Sequence, residues 1–364
     1  MLNVQKYLEN HTLKELKDEF DISITLYEDR VVLNYGIKSP RFHPICDECR
    51  GLILSFPDYN VMCRSFDRFY NYMEGDTGRD VDFSKINVVN KEDGSLINVY
   101  FDGNKWCVAT RKMAFAEGTT SLGTSYHDLF EKTLGVNIQY FADVCFLPEY
   151  TYIFELCTPE NRVVKDYGKS IIFLIGIRNN NYGFYVLPEA FDNWSDLFKF
   201  VGANINFPKI YNFNSIDNIM ESLKDLPTLD EGYVCVDDSG TPIMKIKSPS
   251  YVAVHKIRDN GVLVPKRIVS LIHMGEHHEY LSYFETDKVY FDPYVKAYDA
   301  FIEDIYNIWN SVKHIENQKE FALKVKDLPI SGIIFGLKKG LTVDEMLDKT
   351  SDVKLSELVE KYKE

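Results

Sequence analysis

Hydrophobic residues in the first two thirds of the chain occur mostly in short runs rich in β-branched and aromatic side chains, separated by Gly, Asp, Asn or Pro. Such runs between turn residues are typical of strands. We assign to strands the runs VVLNYG, CRGLILSF, INVVNK, SLINVYF, KWCVATR, YTYIFELC, SIIFLIGIR, YGFYVLP, GYVCV and PIMKIK. Helical spacing appears at residues 1–20, near 124–135 and near 215–224. The pattern predicts an α+β domain, rich in antiparallel strands, over residues 1–258.

The apolar positions change to helical spacing near residue 260. One stripe consists of Tyr294, Tyr298, Phe301, Ile302, Ile305, Trp309 and Val312. Pro293 suits the first turn of that helix. Segments near 265–284, 316–327 and 342–362 show the same spacing, and TVDE at 342–345 resembles a capping box. We therefore predict an all-α C-terminal domain over residues 259–364, joined through the basic, turn-rich sequence KIRDNGVLVPKR.

Length and composition fit this two-domain prediction. The chain has 364 residues, of which 45% are hydrophobic and 26% are charged. It contains no run of 18 apolar residues, and its N-terminus has charges where a signal peptide has an apolar segment. The seven cysteines are scattered in apolar runs, which indicates reduced core thiols. We expect a cytoplasmic protein without disulfides or a membrane segment.

The net charge of −14 argues against nonspecific wrapping of nucleic acid, which needs many cations that face phosphates. A local basic groove remains compatible with an acidic protein, because the field that a ligand meets is set within the cleft.

The strongest local feature is the segment from Asn90 to Ser95, NKEDGS, between two predicted strands. By itself Asp93-Gly94 is equally typical of a hairpin turn. A lysine at the end of a strand, beside a tight turn that Gly allows, can also present its amine to a phosphorus centre. The other charged residues of the chain favour the second interpretation for Lys91.

Two glutamates and two lysines flank later apolar strands. Glu155 and Glu231 adjoin buried runs, where carboxylates pair with cations or hold a metal unless they lie at a solvated sheet edge. Lys245 and Lys247 are two residues apart, so a strand places both on one face. A polyanion between them explains such a pair, and solvated surface lysines are the alternative.

Each of the remaining candidate binding residues also has a second explanation. Arg50 begins a strand, and the segment RSFDRFYN at 64–71 mixes guanidinium groups, which suit phosphates, with aromatic rings that could stack on a base or fill the core. Cys46 and Cys49 form a CxxC pair, but no second pair follows, which disfavours zinc. The cluster His273, Glu276, His277 and His278 could bind a metal, and a solvated helix face is the simpler interpretation.

In combination these segments resemble a known family. The ordered series ECRG (48–51), RFYN (68–71), KEDGS (91–95), FELCTPENRVV (154–164), EGYV (231–234) and KIKSPSYVAVH (245–255) resembles the RNA ligase 1 family of T-even bacteriophages, within the covalent nucleotidyltransferases. The resemblance spans roughly residues 40–258. KxDG alone is shared with DNA ligases and capping enzymes; the extended FE and KIKS segments point to RNA ligase 1. The helical C-terminal region also fits, since the other two classes usually append an OB domain.

The resemblance implies a role for each matching residue. Lys91 resembles the nucleophile that becomes linked to AMP, and Glu155 and Glu231 resemble carboxylates of the nucleotide and metal site. The remaining expected nucleotide-binding residues are Arg50, Arg68, Tyr70, Asn90, Glu92, Gly94, Arg111, Lys245, Lys247 and Tyr251. Among them, Lys245 and Lys247 resemble triphosphate ligands, Arg50 a phosphate-contacting arginine and Tyr251 a further residue on the phosphate side. Arg68 replaces a lysine of the family, and Arg111 is preferred to Lys112 as the basic residue after KEDGS.

The function implied is ATP-dependent ligation of RNA 5′-phosphate and 3′-hydroxyl ends, with Mg²⁺ or Mn²⁺ as metal. The resemblance further implies a monomer that repairs broken RNA, such as cleaved tRNA, in an infected bacterial cytoplasm. We expect neighbouring cations to keep the Lys91 amine deprotonated. A capping-type guanylyltransferase and an RNA-end-binding protein with an inactive pocket are the alternatives; the intact motifs disfavour the latter.

The helical region is expected to help select the RNA, because the nucleotide motifs end before it. The basic junction residues Lys256, Arg258, Lys266 and Arg267 lie between the two regions.

Overall fold

The computed structural model describes residues 1–363 except 37–38, 228, 249–250, 252–257, 260–261, 276, 278–280 and 282–284. The chain divides into two compact units, Met1–Val252 and Ala253–Glu364. The predicted boundary at 258/259 is flanked on both sides by residues outside the described ones, and Lys256 is among these.

The first unit begins with two helices where the spacing predicted one over residues 1–20. They are α1 (Asn3–Leu8) and α2 (Leu13–Phe20). The Thr12 hydroxyl accepts from the Glu15 backbone N–H at 3.2 Å, and a Glu15 carboxylate oxygen accepts from the Thr12 N–H at 2.8 Å. This reciprocal cap starts a new helix at Leu13. Both helices still bury their apolar faces, so the amphipathic pattern was correct and the continuity was wrong.

Both helices share a hydrophobic core with the inner face of a four-stranded antiparallel sheet. Its strands, in spatial order, are β1 (Ile22–Leu26), β2 (Arg30–Tyr35), β3 (Arg50–Ser55) and β4 (Val61–Cys63). The short helix α3 (Pro44–Glu48) precedes β3. Cys46 and Cys49 are fully buried in this core and behave as apolar side chains there.

Two five-stranded sheets form the rest of the unit. The second sheet has the order β11 (Ile205–Asn206), β10 (Ile171–Asn179), β9 (Tyr150–Cys157), β7 (Ser95–Phe101) and β8 (Trp106–Thr110). The third sheet has the order β12 (Ile210–Tyr211), β6 (Asn87–Asn90), β13 (Gly232–Val236), β14 (Pro242–Lys247) and β5 (Tyr70–Asn71). Neighbouring strands are antiparallel except at β10/β11 and β14/β5.

Each of these sheets has a core on one face. Apolar side chains of the second sheet pack with α4 (Tyr126–Leu134), α5 (Ile138–Cys145) and α6 (Ser195–Phe200). The third sheet packs in the same way with α7 (Ile216–Ser222). On its opposite face, the second sheet packs in part against the first sheet through Tyr100, Cys107 and Ala109. The rest of that face and the opposite face of the third sheet border a cleft.

The run YGFYVLP, predicted as a strand, is not one. Only Tyr185 pairs, in an isolated bridge with Arg178 at the end of β10. The chain reverses directly after β10, and Gly183 adopts a φ of +80°, which interrupts the extended conformation needed for a ladder.

The second unit is helical after a short hairpin of β15 (Arg258–Asp259) and β16 (Val262–Leu263). Its helices are α8 (Pro265–His273), α9 (Lys288–Val312), α10 (Gln318–Val325), α11 (Ser331–Lys338), α12 (Val343–Asp348) and α13 (Asp352–Val359). The capping box predicted at TVDE is confirmed, since Thr342 and Glu345 exchange both hydrogen bonds. Pro293 lies inside α9 and not in its first turn, because the helix begins at Lys288.

His273 lies between helices and not on a solvated helix face. Its Nδ1 is 2.8 Å from the Tyr298 hydroxyl, and its Nε2 is 2.9 Å from a carboxylate oxygen of Asp348. The imidazole therefore links α8 to α9 and α12. Glu276 and His278 of the same predicted cluster lie outside the described residues. Within the described part of the chain, no helix has the length and apolar character needed to cross a membrane.

Candidate active site

The KEDG segment joins two different sheets and is not a hairpin. β6, which precedes it, belongs to the third sheet, and β7, which follows it, belongs to the second. A Cβ atom at Gly94 would overlap the Leu156 carbonyl oxygen of β9, so a close backbone approach, and not a positive φ, requires glycine there. This crossing places Lys91 in a cleft that is lined by residues of both sheets.

Lys91 and Lys247 hold the carboxylate of Glu231 between them. The Lys91 Nζ lies 2.7 Å from one carboxylate oxygen of Glu231, and the Lys247 Nζ lies 2.7 Å from the other. Glu231 directly precedes β13, and Lys247 ends the adjacent strand β14, opposite Gly232. The Lys91 backbone N–H also donates to the Gly232 carbonyl at 2.9 Å, which ties the segment to β13. Only 5% of the Glu231 side chain is exposed.

These contacts set the charges of the buried groups. Burial favours the neutral form of Glu231, but the two ammonium groups outweigh it and lower the pKa of this carboxyl. Burial lowers the pKa of Lys91, but Glu231 and Glu155 outweigh it, so the pKa of Lys91 is raised. The expectation that neighbouring cations keep this amine deprotonated is therefore wrong for the ligand-free protein, because its nearest charged partner is a carboxylate.

Glu155 approaches the same cleft from β9. One of its carboxylate oxygens accepts from the Gly94 backbone N–H at 3.0 Å. Burial raises the pKa of Glu155 to about 7, and the nearby charge of Lys91 only partly opposes this effect. In the ligand-free protein, a large fraction of the Glu155 carboxyl is therefore protonated near neutral pH.

We expect Glu155→Gln to stabilise the ligand-free protein by about 3 kcal/mol at pH 8, because the variant removes the cost of ionising a buried carboxyl. As pH rises from 4.5, the ordinary pKa, an unfolded chain releases this proton, whereas the folded chain keeps it until about pH 7. The wild type therefore loses stability across that window. Urea unfolding at pH 5 and pH 8 measures this: the gain should be present at pH 8 and nearly absent at pH 5. An equal effect at both pH values would contradict the assignment.

Asp93, two residues after Lys91, is buried and forms a hydrogen bond with the buried side chain of Tyr251. The Tyr251 hydroxyl donates to one carboxylate oxygen of Asp93 at 2.6 Å. The other oxygen accepts from the backbone N–H groups of Val164 and Lys165, both at 2.8 Å. Tyr251 is only 1% exposed and does not line the cleft, but its ring centroid lies 5.4 Å from the Nζ of Lys247, which does. Asp93 was not selected from the sequence, although its place in KEDG was a signal.

Glu92 and Asn90 line the cleft beside Lys91. The Asn90 side-chain amide donates to one Glu92 carboxylate oxygen at 2.6 Å, and the Tyr167 hydroxyl donates to the other at 2.8 Å. Tyr167 also accepts from the Asp93 backbone N–H at 2.9 Å. No sequence pattern marked Tyr167, because its contacts connect segments more than 70 residues apart.

Three further cations line the cleft without a carboxylate partner. Among the residues that the structure describes, Arg50, Arg111 and Lys245 form no ion pair, and Nη1 of Arg50 is buried without a hydrogen-bond partner. Burial, together with Lys91, Arg50 and Lys247, lowers the pKa of Lys245 to about 8. The prediction that Lys245 and Lys247 share one strand face is confirmed, since Met244 and Ile246 are buried on the other. An unbalanced positive charge of this kind suits an anionic ligand.

Arg68 and Tyr70 do not line this cleft. They border an adjoining pocket that shares Tyr35, Phe69 and Lys245 with it. The Arg68 guanidinium lies over the rings of Tyr35 and Tyr70, with its Cζ 4.2 Å and 5.1 Å from the ring centroids. The Tyr70 hydroxyl accepts from the Phe42 N–H at 2.7 Å and bonds to the Asp47 carboxylate, so this side chain supports its neighbours.

The carboxylates fit a divalent cation that keeps most of its water. No group of three potential metal ligands occurs among the described residues. Glu231 is, however, close enough to Glu155 for its charge to raise the pKa of the Glu155 carboxyl. Mg²⁺ is commonly bound by one or two carboxylates together with substrate phosphates.

Comparisons with known proteins agree with the geometry. Residues 48–251 match the family model of RNA ligases of the T4 RNA ligase 1 type. The chain is 33% identical over 366 residues to a protein of Autographa californica nuclear polyhedrosis virus named "Putative bifunctional polynucleotide kinase/RNA ligase", and the match covers 94% of this chain and 50% of that protein. The chain thus spans half the length of this viral relative.

A second relative is an RNA ligase of Rhodothermus phage RM378, which is 24% identical over 379 residues, with 86% of this chain and 85% of that protein covered. Among solved structures, an archaeal ATP-dependent RNA ligase aligns with a TM-score of 0.49 at 12% identity, covering all of this chain and 80% of the other. Because the family match includes more than half of the chain and contains KEDG, both glutamates and both strand lysines, the chain belongs to the RNA ligase family.

Proposed function

We propose that this chain is an ATP-dependent RNA ligase that joins a 5′-phosphate to a 3′-hydroxyl. The observation that carries the proposal is the Lys91 amine, held 2.7 Å from Glu231 in a cleft with three cations that form no ion pair with any described residue. An amine beside a site that suits a polyphosphate is the arrangement that transfer of AMP to lysine requires.

In the first step, the Lys91 Nζ attacks the α-phosphorus of ATP. Nζ attacks as the neutral amine, after one proton has passed to water. A P–N bond forms, the bond to the leaving pyrophosphate breaks, and the nitrogen gives a second proton to water and keeps one. The raised pKa of Lys91 means that this amine must first leave its ion pair with Glu231. Lys245, Lys247 and Arg50 are suited to hold the polyphosphate and to stabilise the charge on pyrophosphate as it leaves.

Glu155 and Glu231 are the residues that would hold Mg²⁺, or Mn²⁺ in its place. A bound divalent cation neutralises charge on the phosphate oxygens. Its presence beside Glu155 would also favour the ionised carboxylate, because a nearby positive charge lowers the pKa of an acid.

The remaining steps need no second protein nucleophile. The 5′-phosphate of RNA attacks the AMP phosphorus and displaces Lys91, and the 3′-hydroxyl then attacks the activated 5′-phosphate and displaces AMP. We propose repair of broken RNA, including cleaved tRNA, by a monomer in the cytoplasm of an infected bacterium as the biological role. The similarity to an RNA ligase of a phage supports the infected bacterium as the setting.

A labelling experiment tests the proposed function directly. With α-labelled ATP and Mg²⁺, the chain should acquire label that survives a denaturing gel, resists alkali and is lost in acid, as a phosphoramidate is. Labelling by GTP to the same extent would favour a guanylyltransferase. The absence of label from either nucleotide would favour an RNA-end-binding protein with an inactive pocket.

We further propose that the helical unit selects RNA. A truncated chain that ends at Val262 should still become labelled by ATP, because the residues of the cleft all precede Val252. It should seal RNA more slowly than the full chain does. Sealing rates on several RNA ends, normalised to the labelled fraction, measure the difference; equal rates on every RNA would assign this unit another role.

A further inference from the structure

The ring of Phe69 lies beside two cations that form no ion pair with any residue the structure describes. The Arg50 Cζ is 5.7 Å from the ring centroid, and the Lys245 Nζ is 5.6 Å from it. Both distances are within the range of cation–π attraction. Phe69 also lines both the cleft and the adjoining pocket. The ring is thus a shared neighbour of two groups that repel each other.

This arrangement needs a source of stabilisation. Neither cation pairs with a carboxylate among the described residues, and both are largely removed from water. Burial lowers the pKa of Arg50 as well as that of Lys245, and the charge of Arg50 adds to the lowering at Lys245. The negative face of the Phe69 ring is a favourable contact that both cations share. It adds to the longer-range attraction of Arg50 to Glu155 and of Lys245 to Glu231.

The segment around the ring is firmly anchored. Asp67 receives two hydrogen bonds from the buried Arg178 guanidinium, at 2.8 and 2.6 Å, and the Arg68 backbone N–H donates to the Asp47 carbonyl at 2.8 Å. Phe66 packs edge-on against Phe69, with centroids 6.1 Å apart. These contacts restrict the chain directly before Phe69, and the Phe66 ring restricts the Phe69 ring itself.

We propose that Phe69 is a positioning residue for the polyphosphate, and that its ring holds Arg50 and Lys245 in place before the ligand binds. This deepens the proposed function and rests on it. Groups already placed for an anion need no ordering when the anion arrives, so more of the attraction appears as affinity. The affinity for polyphosphate then depends on the aromatic face of Phe69, and not only on its apolar character.

The test compares Phe69→Leu, Phe69→Met and Phe69→Tyr in the full chain by titration calorimetry, with inorganic tripolyphosphate and adenosine as separate probes. The Leu and Met variants keep an apolar side chain and lose the ring, so tripolyphosphate should bind about tenfold more weakly. The Tyr variant keeps the ring and should stay within about twofold of the wild type. Adenosine affinity should be the same in all, because adenosine carries no phosphate.

Phe213→Leu is the matched control, since this ring packs with Tyr211 and Tyr233 and does not line the cleft. It should leave tripolyphosphate binding unchanged. Thermal unfolding checks the fold of every variant, and either the Leu or the Met variant suffices for the comparison.

Equal weakening by the Tyr and Leu variants would overturn the proposal, as would a loss of adenosine affinity equal to that of tripolyphosphate. Failure of the wild type to take label from ATP would instead overturn the proposed function. The tripolyphosphate measurement does not depend on labelling, so the two failures are distinguishable.

Discussion

Lys91→Ala should abolish transfer of label from ATP to the protein and block joining of RNA with an ordinary 5′-phosphate. The described cleft contains Lys245 and Lys247 as well, but Lys247 is paired with Glu231, and both extend from β14 and not from the KEDG crossing. Neither amine is therefore placed to replace Lys91. The same variant should still seal RNA that already carries AMP on its 5′-phosphate, because that substrate bypasses both steps that need the lysine.

The control for this experiment is Lys85→Ala, which removes an exposed lysine paired only with Asp82. It should label and seal as the wild type does. Two results would identify another nucleophile: an AMP–lysine linkage in the Lys91→Ala variant, or joining of phosphorylated ends with ATP at the wild-type rate.

Glu231→Ala should raise the barrier of the labelling step by about 3 kcal/mol, or roughly 100-fold in rate. The substitution leaves two buried ammonium groups, on Lys91 and Lys247, without the carboxylate that holds both. Lys247→Ala should have an effect of similar size, because it removes a charge suited to the polyphosphate. Single-turnover labelling at saturating ATP measures both variants.

Whether the Glu231→Ala variant takes up label more slowly or faster than the wild type distinguishes between two roles of Glu231. Loss of this carboxylate removes a group that raises the pKa of Lys91, so a merely inhibitory ion pair predicts faster labelling at neutral pH. Slower labelling indicates that Glu231 contributes to the reaction itself. Asp230→Asn is the matched control. The Asp230 carboxylate is next in sequence to Glu231, but it pairs with Lys165 at 2.6 Å and not with Lys91. Near wild-type labelling by a folded Glu231→Ala protein would remove Glu231 from the site.

Much of the local structure could be predicted from the sequence. Alternation along PIMKIK predicted that Lys245 and Lys247 share a face, and TVDE predicted a helix start that Thr342 and Glu345 form. The α+β class followed by helices is also confirmed. These features depend on residues a few positions apart, whose side-chain directions are set by the backbone period alone. At Thr12, the apolar spacing predicted one continuous helix, but the capping hydrogen bonds between Thr12 and Glu15 start a new helix.

The properties of the site depended on contacts between distant segments. Asp93-Gly94 had the composition of a hairpin turn, yet it joins two sheets, because β9 packs against Gly94 and β13 against Lys91. The motifs identified which charged residues to consider, but not that Lys91 would contact a carboxylate and not a cation.

The sequence by itself therefore determined the strands and helices, the order of the motifs and the family to which the chain belongs. Only the tertiary structure decided that Tyr251 supports Asp93, that Arg68 borders an adjoining pocket and that Phe69 lies beside both Arg50 and Lys245. The physical reason is that charge interactions, burial and ring contacts depend on distances in space. The sequence does not specify these distances for residues far apart in the chain, such as Arg50 and Lys245, which are 195 residues apart.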